Sequence, residues 1–256
     1  MEYAIEARHL VKRFAQKVAV DHLELFVPRG AWYGLVGPNG AGKTTTIKML
    51  VGLLRPDEGT VRIEGADVWP DPVEAKRKMG VLPDDLRLFE RLSGEELLIY
   101  IGLLRGMDRD EVEDRAAQLL DVFGLVRSAD DLVADYSTGM RKKVTLAAAL
   151  LHAPSVLLLD EPFESVDPVS SRVIIEVLQQ YRETGGTIVF SSHVMETVER
   201  LCDHVAIVSD GRVARSGSMA EVLGARTNRL EEVFIEAVGA DDLSERGALA
   251  WLGERV

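Results

Sequence analysis

The chain has 256 residues, 46% of them hydrophobic and 28% charged, with 30 Lys and Arg against 42 Asp and Glu for a net charge of -12. A chain of this size and apolar content buries roughly 75% of its unfolded surface, which excludes intrinsic disorder and any need for disulfides or a structural metal. The acidic balance excludes a nucleic-acid partner held by phosphate neutralisation, and a lone Cys202 cannot form an internal disulfide, which favours a reducing compartment. No basic segment leading into an apolar one opens the sequence, so no signal peptide is expected. The longest apolar stretches, Leu97–Leu104 and Val156–Leu159, fall far short of the ~20 residues a spanning helix requires. A soluble, cytosolic globular protein is expected.

In chain order, Tyr3–Leu10 and His22–Val27 alternate apolar and polar residues, as half-buried antiparallel strands do. Trp32–Val36 is a short apolar strand ending in glycine. A predicted helix, Thr46–Leu53, follows. Residues 87–152 break the strand–helix rhythm and are read as helical throughout, a subdomain inserted into the core. Within it, Ser93-Gly94-Glu95-Glu96 and Asp108-Arg109-Asp110-Glu111 have the spacing of helix N-terminal caps. Val156–Leu159 and Thr187–Phe190 are continuous apolar or β-branched runs, the habit of parallel strands buried on both faces. Between them Asp167-Pro168 opens a helix with proline at its first position. Val205–Val208 and Arg212–Ala214 form a hairpin turning on Asp210-Gly211, and Ser218-Met219-Ala220-Glu221 starts a late helix. Glu231–Val238 is a further helical candidate, and residues 239–256 read as an acidic tail.

Between strand Trp32–Val36 and its helix lies Gly37-Pro38-Asn39-Gly40-Ala41-Gly42-Lys43-Thr44-Thr45, which contains the phosphate-loop pattern G-x-x-x-x-G-K-T. Glycines let backbone N–H groups close around phosphates where a Cβ would collide. The helix N-terminus adds positive potential, Lys43 adds a point charge, and the Thr44 hydroxyl is placed to ligate Mg²⁺. Val156–Leu159 then ends in Asp160-Glu161. In a phosphate-loop sheet such a strand end lies at the ligand-binding carboxyl edge, so Asp160 is assigned to Mg²⁺ and Glu161 to polarising the attacking water. His193 ends a second buried strand, within Ser191-Ser192-His193.

The order of these motifs resembles the ATP-binding cassette (ABC) ATPases over roughly residues 3 to 238. Tyr136-Ser137-Thr138-Gly139-Met140, before the acid strand and at a helix start, resembles the family's signature segment with Thr138 and Met140 in place of Gly and Gln. The resemblance implies a P-loop α/β fold with a mixed sheet, an N-terminal antiparallel β subdomain and an inserted helical subdomain. It also implies ATP and Mg²⁺ as cofactors, and a homodimer in which Ser137 and Gly139 meet the γ-phosphate held by the other protomer. Phe14 matches the aromatic that stacks on adenine. Asp84, within Val81-Leu82-Pro83-Asp84, stands at the Q-loop position, where it can approach Mg²⁺ and its water. Glu164-Ser165-Val166-Asp167 resembles the D-loop, with Asp167 also suited to cap the helix that Pro168 begins. His193 matches the switch histidine.

The implied activity is ATP hydrolysis that powers a separate membrane permease from the cytoplasmic face. Leu86, Leu88, Phe89 and Leu92 are expected to line a groove for a cytoplasmic helix of that partner. The signature and Leu230-Glu231-Glu232-Val233-Phe234 resemble the drug- and antibiotic-exporting branch. A soluble or regulatory ABC ATPase not engaged in transport is the alternative. A GTP switch would need a guanine-reading Asn-Lys-x-Asp segment, which the sequence lacks.

Overall fold

The structure, a computed structural model, describes residues 2–86, 88–224 and 229–238. In chain order its strands are β1 (Tyr3–Phe14), β2 (Lys17–Pro28), β3 (Trp32–Val36), β4 (Glu58–Ile63), β5 (Ala66–Asp67), β6 (Met79–Leu82), β7 (Val156–Leu159), β8 (Thr187–Ser192), β9 (His204–Ser209) and β10 (Arg212–Ser218). The α-helices are α1 (Lys43–Leu50), α2 (Val73–Arg77), α3 (Gly94–Leu104), α4 (Arg109–Val122), α5 (Thr138–Leu150), α6 (Pro168–Glu183), α7 (Met195–Leu201), α8 (Met219–Leu223) and α9 (Leu230–Val238). The expected acidic tail, 239–256, lies outside the described residues.

The alternating segments near the N-terminus pair as expected. β1 and β2 are antiparallel, and with β4 and β5 they make a four-stranded sheet of order β2-β1-β4-β5. The second sheet has six strands in the order β10-β9-β3-β8-β7-β6, with β9, β3, β8, β7 and β6 parallel and β10 antiparallel. The fold is thus the mixed-sheet P-loop α/β architecture with its β subdomain and helical subdomain.

The continuous apolar runs are explained by burial on two faces. Leu157 and Leu159 of β7, Ile188 and Phe190 of β8, and Trp32 of β3 point to the core shared with the helical subdomain. Their neighbours Val156, Leu158, Val189, Tyr33 and Leu35 point to the core shared with the β subdomain. With period two along each strand, every position has an apolar layer to enter, so no polar alternation survives.

Caps set several helix starts. The Ser93 and Glu96 side chains and backbones exchange hydrogen bonds in a full capping box before α3, and Ser218 and Glu221 do the same before α8. Asp108 and Asp167 each accept from two backbone N–H groups of the helix that follows. Such caps contribute about 1 kcal/mol each.

Two expectations are corrected. The helix after β3 runs from Lys43 rather than Thr46 and stops at Leu50 rather than Leu53. Thr46 N already donates to Gly42 O at 2.8 Å, and the left-handed Gly52 (φ 69°) turns the chain out at the other end. The stretch 87–152 is not helical throughout. Residues 88–93 are extended or turning, and short 3₁₀ turns occupy Val126–Ser128 and Val133–Asp135. There the backbone bonds run between segments: Val133 N donates to Leu92 O at 2.9 Å, and Ser93 bridges to Leu132. That pairing competes with helix for the same groups.

Candidate active site

The sheet order gathers the predicted residues. β3, β8, β7 and β6 are successive parallel neighbours, so their carboxyl ends form one edge. The phosphate loop leaves β3, His193 follows β8, Asp160 and Glu161 follow β7, and Asp84 follows β6. A cleft of about 480 Å³ opens there, lined among others by Phe14, Asn39, Gly40, Lys43, Thr44, Thr45, Asp84, Glu161 and His193.

The loop is held from outside as well as by its own turns. A Cβ on Gly37 would run into the backbone oxygen of Val208, and one on Gly42 would lie 2.6 Å from Ala19 O. Gly42 also has φ 106°, which an L side chain rarely adopts. Gly211, in the β9–β10 turn, donates its N–H to Ala41 O at 3.0 Å and accepts from Asp21 N at 2.9 Å, tying loop and β subdomain together. Pro38, Asn39 and Gly40 are exposed, Ala41 is buried, and α1 starts immediately after Gly42. Lys43 is buried and curls back across the loop, donating to Gly37 O at 2.8 Å and Pro38 O at 3.3 Å. Its ammonium stands 3.8 Å from Glu161 Oε1.

The two acids occupy different surroundings. Asp160 is 2% exposed, and its Oδ1 accepts from Ser191 Oγ at 2.6 Å and from Thr44 Oγ1 at 3.3 Å. Burial raises its carboxyl pKa, against the opposing pull of those two hydrogen bonds. Glu161 aims its carboxylate into the cleft, with Oε2 3.1 Å from His193 Nδ1. Its backbone is left-handed, φ 47°, as is that of Ser165, φ 56°. Non-glycine residues hold such values only where their surroundings over-determine them.

Two residues not singled out from the sequence do that holding. Ser191, wholly buried in β8, accepts from Glu161 N at 2.9 Å while donating to Asp160. Lys142, buried on α5, donates to Glu161 O at 2.6 Å and Glu164 O at 2.7 Å. A serine inside a buried strand and a lysine on the inner face of a helix are the legible signals, since neither belongs in an apolar core without a partner.

Phe14 is 48% exposed beside the loop, with Lys12 Nζ 5.8 Å from its ring centroid. Asp84 is exposed at the cleft. Ser137 and Gly139 stand apart from these lining residues. Ser137, exposed, caps α5 by accepting from Met140 N at 3.2 Å. A Cβ on Gly139 would lie 3.0 Å from Ser170 Oγ and 3.1 Å from Asp167 Oδ2, so the glycine lets α5 pack closely on the start of α6.

Among the described residues no group of three or more His, Cys, Asp or Glu is arranged to hold a metal ion. The donors at the phosphate loop nonetheless suit Mg²⁺, which takes one or two carboxylates and completes its shell with phosphate and water oxygens. Thr44 Oγ1 and Asp160 Oδ1 are hard oxygens already 3.3 Å apart.

Comparison with known proteins agrees with this geometry. The model of the ABC transporter family matches residues 20–164. The linearmycin resistance ATP-binding protein LnrL of Bacillus subtilis is 34% identical over 91% of this chain and 78% of its own length. The daunorubicin/doxorubicin resistance ATP-binding protein DrrA of Streptomyces peucetius is 39% identical over 89% of this chain and 70% of its own. Among solved structures, the ATP-binding subunit of an ABC transporter superposes with a TM-score of 0.85 at 32% identity, covering 91% of this chain and 99% of that one. A dimeric ATP-binding cassette bound to ADP and Pi shares the fold, with a TM-score of 0.78 at 23% identity over 84% of this chain and 99% of that one. No helix among the described residues is long and apolar enough to cross a membrane. With the phosphate loop, the acid pair and the histidine on one sheet edge, and with these relatives, the chain belongs to the ABC transporter family as one of its ATP-binding, ATP-hydrolysing subunits.

Proposed function

We propose that two copies of this chain sandwich two Mg-ATP and drive a separate membrane permease, at the cytoplasmic face of the membrane, in the export of a drug- or antibiotic-like compound. One observation carries the dimer: the cleft gathers Lys43, Thr44, Glu161 and His193 from a single chain, while Ser137 sits exposed outside it on the tip of α5. A second copy supplies what the cleft lacks. The exporter reading rests on the relatives LnrL and DrrA, whose names attach them to antibiotic and drug resistance.

In this reading the backbone N–H groups of the loop from Asn39 to Thr45 and the Lys43 ammonium cradle the phosphates, and Phe14 stacks on the base. Thr44 and Asp160 would hold Mg²⁺, and Asp84, which lines the same cleft, would accept hydrogen bonds from its water. When bound, the ion neutralises phosphate charge. Glu161 accepts the proton of the attacking water as its oxygen bonds to the γ-phosphorus and the bond to the β-phosphate oxygen breaks. His193, hydrogen-bonded to Glu161 here, is free to turn to the γ-phosphate once that carboxylate engages water. Ser137 and Gly139 of the partner copy close the far side. The design is mostly positioning and charge stabilisation, as phosphoryl transfer requires.

The permease contact is assigned to a patch beside α3. Leu86, Leu88 and Leu92 pack partly into the core, whereas Phe89 is 54% exposed and meets Tyr100 edge-on at 5.1 Å. Leu104, 66% exposed, extends the patch.

Glu161→Gln tests the reading. It is expected to lower turnover about 10²- to 10⁴-fold while leaving ATP bound, so that size-exclusion chromatography in ATP shows a dimer and a membrane chain co-purifies. Adding Phe89→Asp should release the membrane chain and keep the dimer. Turnover equal to that of the unsubstituted chain would overturn Glu161 as the base; a monomer in ATP would overturn the sandwich.

A further inference from the structure

The mechanism above leaves Lys142 without a role, although few buried groups in the chain are more costly to place. Its side chain is 5% exposed, and burial lowers the pKa of its ammonium, against the nearby Glu164 carboxylate. Both partners assigned to it are backbone carbonyls: Glu161 O at 2.6 Å and Glu164 O at 2.7 Å. These carbonyls belong to the turn that carries the base. Glu164 N donates back to Glu161 O at 3.2 Å, and left-handed residues, Glu161 and Ser165, bracket the turn. Such a conformation is held against its own strain, and a buried cation between its carbonyls is a strong device for holding it.

The position of Lys142 in the fold gives this device a direction. It lies on α5, the helix whose first residues follow Ser137, and α5 is packed so closely on α6 that Gly139 has no room for a Cβ without displacing Ser170 or Asp167. One helix therefore carries at its tip the group that reaches the other protomer's nucleotide, and a turn later the group that holds its own protomer's Glu161.

We propose that Lys142 is a positioning residue: by holding the backbone turn of its own chain's Glu161 it sets the aim of the base in that chain's cleft. The test below rests on the two-copy sandwich.

The sandwich makes the proposal testable by mixing. Lys142→Met keeps much of the apolar stem and removes the donors, and is expected to lower kcat about thirtyfold with little change in KM, the loss of charged hydrogen bonds to a catalytic turn. Lys142→Arg, which keeps the donors, should recover most of that loss. In a sandwich, a chain lacking its α5 contact and a chain lacking its base restore one whole site when combined. Ser137→Arg and Glu161→Gln, mixed before ATP is added, should therefore regain ATPase activity. On the proposal Lys142→Met behaves like Glu161→Gln: it regains activity with Ser137→Arg and not with Glu161→Gln. Regain with Glu161→Gln instead would place Lys142 in service of the α5 tip and overturn the proposal, as would no regain in either mixture or an unchanged kcat. If Ser137→Arg and Glu161→Gln themselves fail to restore one another, the sandwich fails and not Lys142 alone. Should Lys142→Met not fold, judged by circular dichroism, Lys142→Gln takes its place in the same mixtures.

Discussion

The carboxyl edge of the parallel sheet and the tip of α5 both carry small polar residues at the start of a helix, yet they are built in opposite ways. At the edge, almost every group is engaged from within. Lys43 bonds its own loop, Ser191 joins Asp160 to the Glu161 backbone, and His193 meets Glu161. At the tip, Ser137 and Thr138 face outward and touch none of this. Backbone groups at a helix N-terminus need partners in both places. The phosphate loop wraps its glycines into a concave cradle, whereas the α5 tip has one serine cap and an open approach. On the two-copy proposal, one end encloses an anion and the other is pressed against one from outside.

That contrast breaks or sharpens under substitution. Beyond Glu161 itself, the largest effect is expected at the tip. Ser137→Arg removes the hydroxyl and sets a cation at a helix N-terminus, where the dipole disfavours it. Turnover should fall about 10²- to 10³-fold, the loss typical of a transition-state donor. ATP affinity of the isolated chain, read by fluorescent-nucleotide titration, should stay within about twofold, as expected for a site that shares no partners with the cleft. Equal loss of binding and turnover would mean the tip serves its own cleft and the contrast is false. A smaller effect is expected at the cleft mouth. Phe14→Ala should weaken ATP binding to the single chain about three- to tenfold, roughly the worth of one ring pair. No change in affinity would remove Phe14 from the base.

The smallest effect concerns stability. Because burial raises the Asp160 pKa, the folded chain holds that proton to higher pH than the unfolded chain does. Stability contributed by this group therefore falls as pH rises through the interval between the two values, and its ionised form weakens the ligand-free fold at neutral pH. Asp160→Asn should raise the melting temperature at neutral pH by about 2 °C, for a change of order 1 kcal/mol in a chain this long. The gain should vanish as the solution is acidified into the carboxylate range. A melting temperature lowered at neutral pH would show that the two hydroxyl bonds outweigh burial.

Much of this was legible because the informative residues sit in strong local patterns. Two-faced burial made β7 and β8 readable as apolar runs, and the residues that follow them had to meet at one edge. The elements missed were those whose pattern is thin. In β4 only Val61 and Ile63 are buried, and α7 buries only Val198. β6 has a glycine at its second residue, forced there because a Cβ would strike the backbone oxygen of Ala149. The site residues overlooked, Ser191 and Lys142, act on backbone atoms, and a partner that is a carbonyl or an N–H leaves no residue type in the sequence to pair with. The same blindness applies to the close packing at Gly139, whose neighbours Asp167 and Ser170 lie far along the chain.

The Ser137 cap has one more consequence. A hydroxyl carries one hydrogen and two lone pairs, and the bond from Met140 N uses a lone pair. The hydrogen can therefore be given outward without undoing the helix start. The rotamer is chosen and the first turn is wound before any second copy arrives, so on the two-copy reading this surface loses little conformational freedom on association. Recognition at the tip of α5 is closer to a key already cut than to a glove that must be filled.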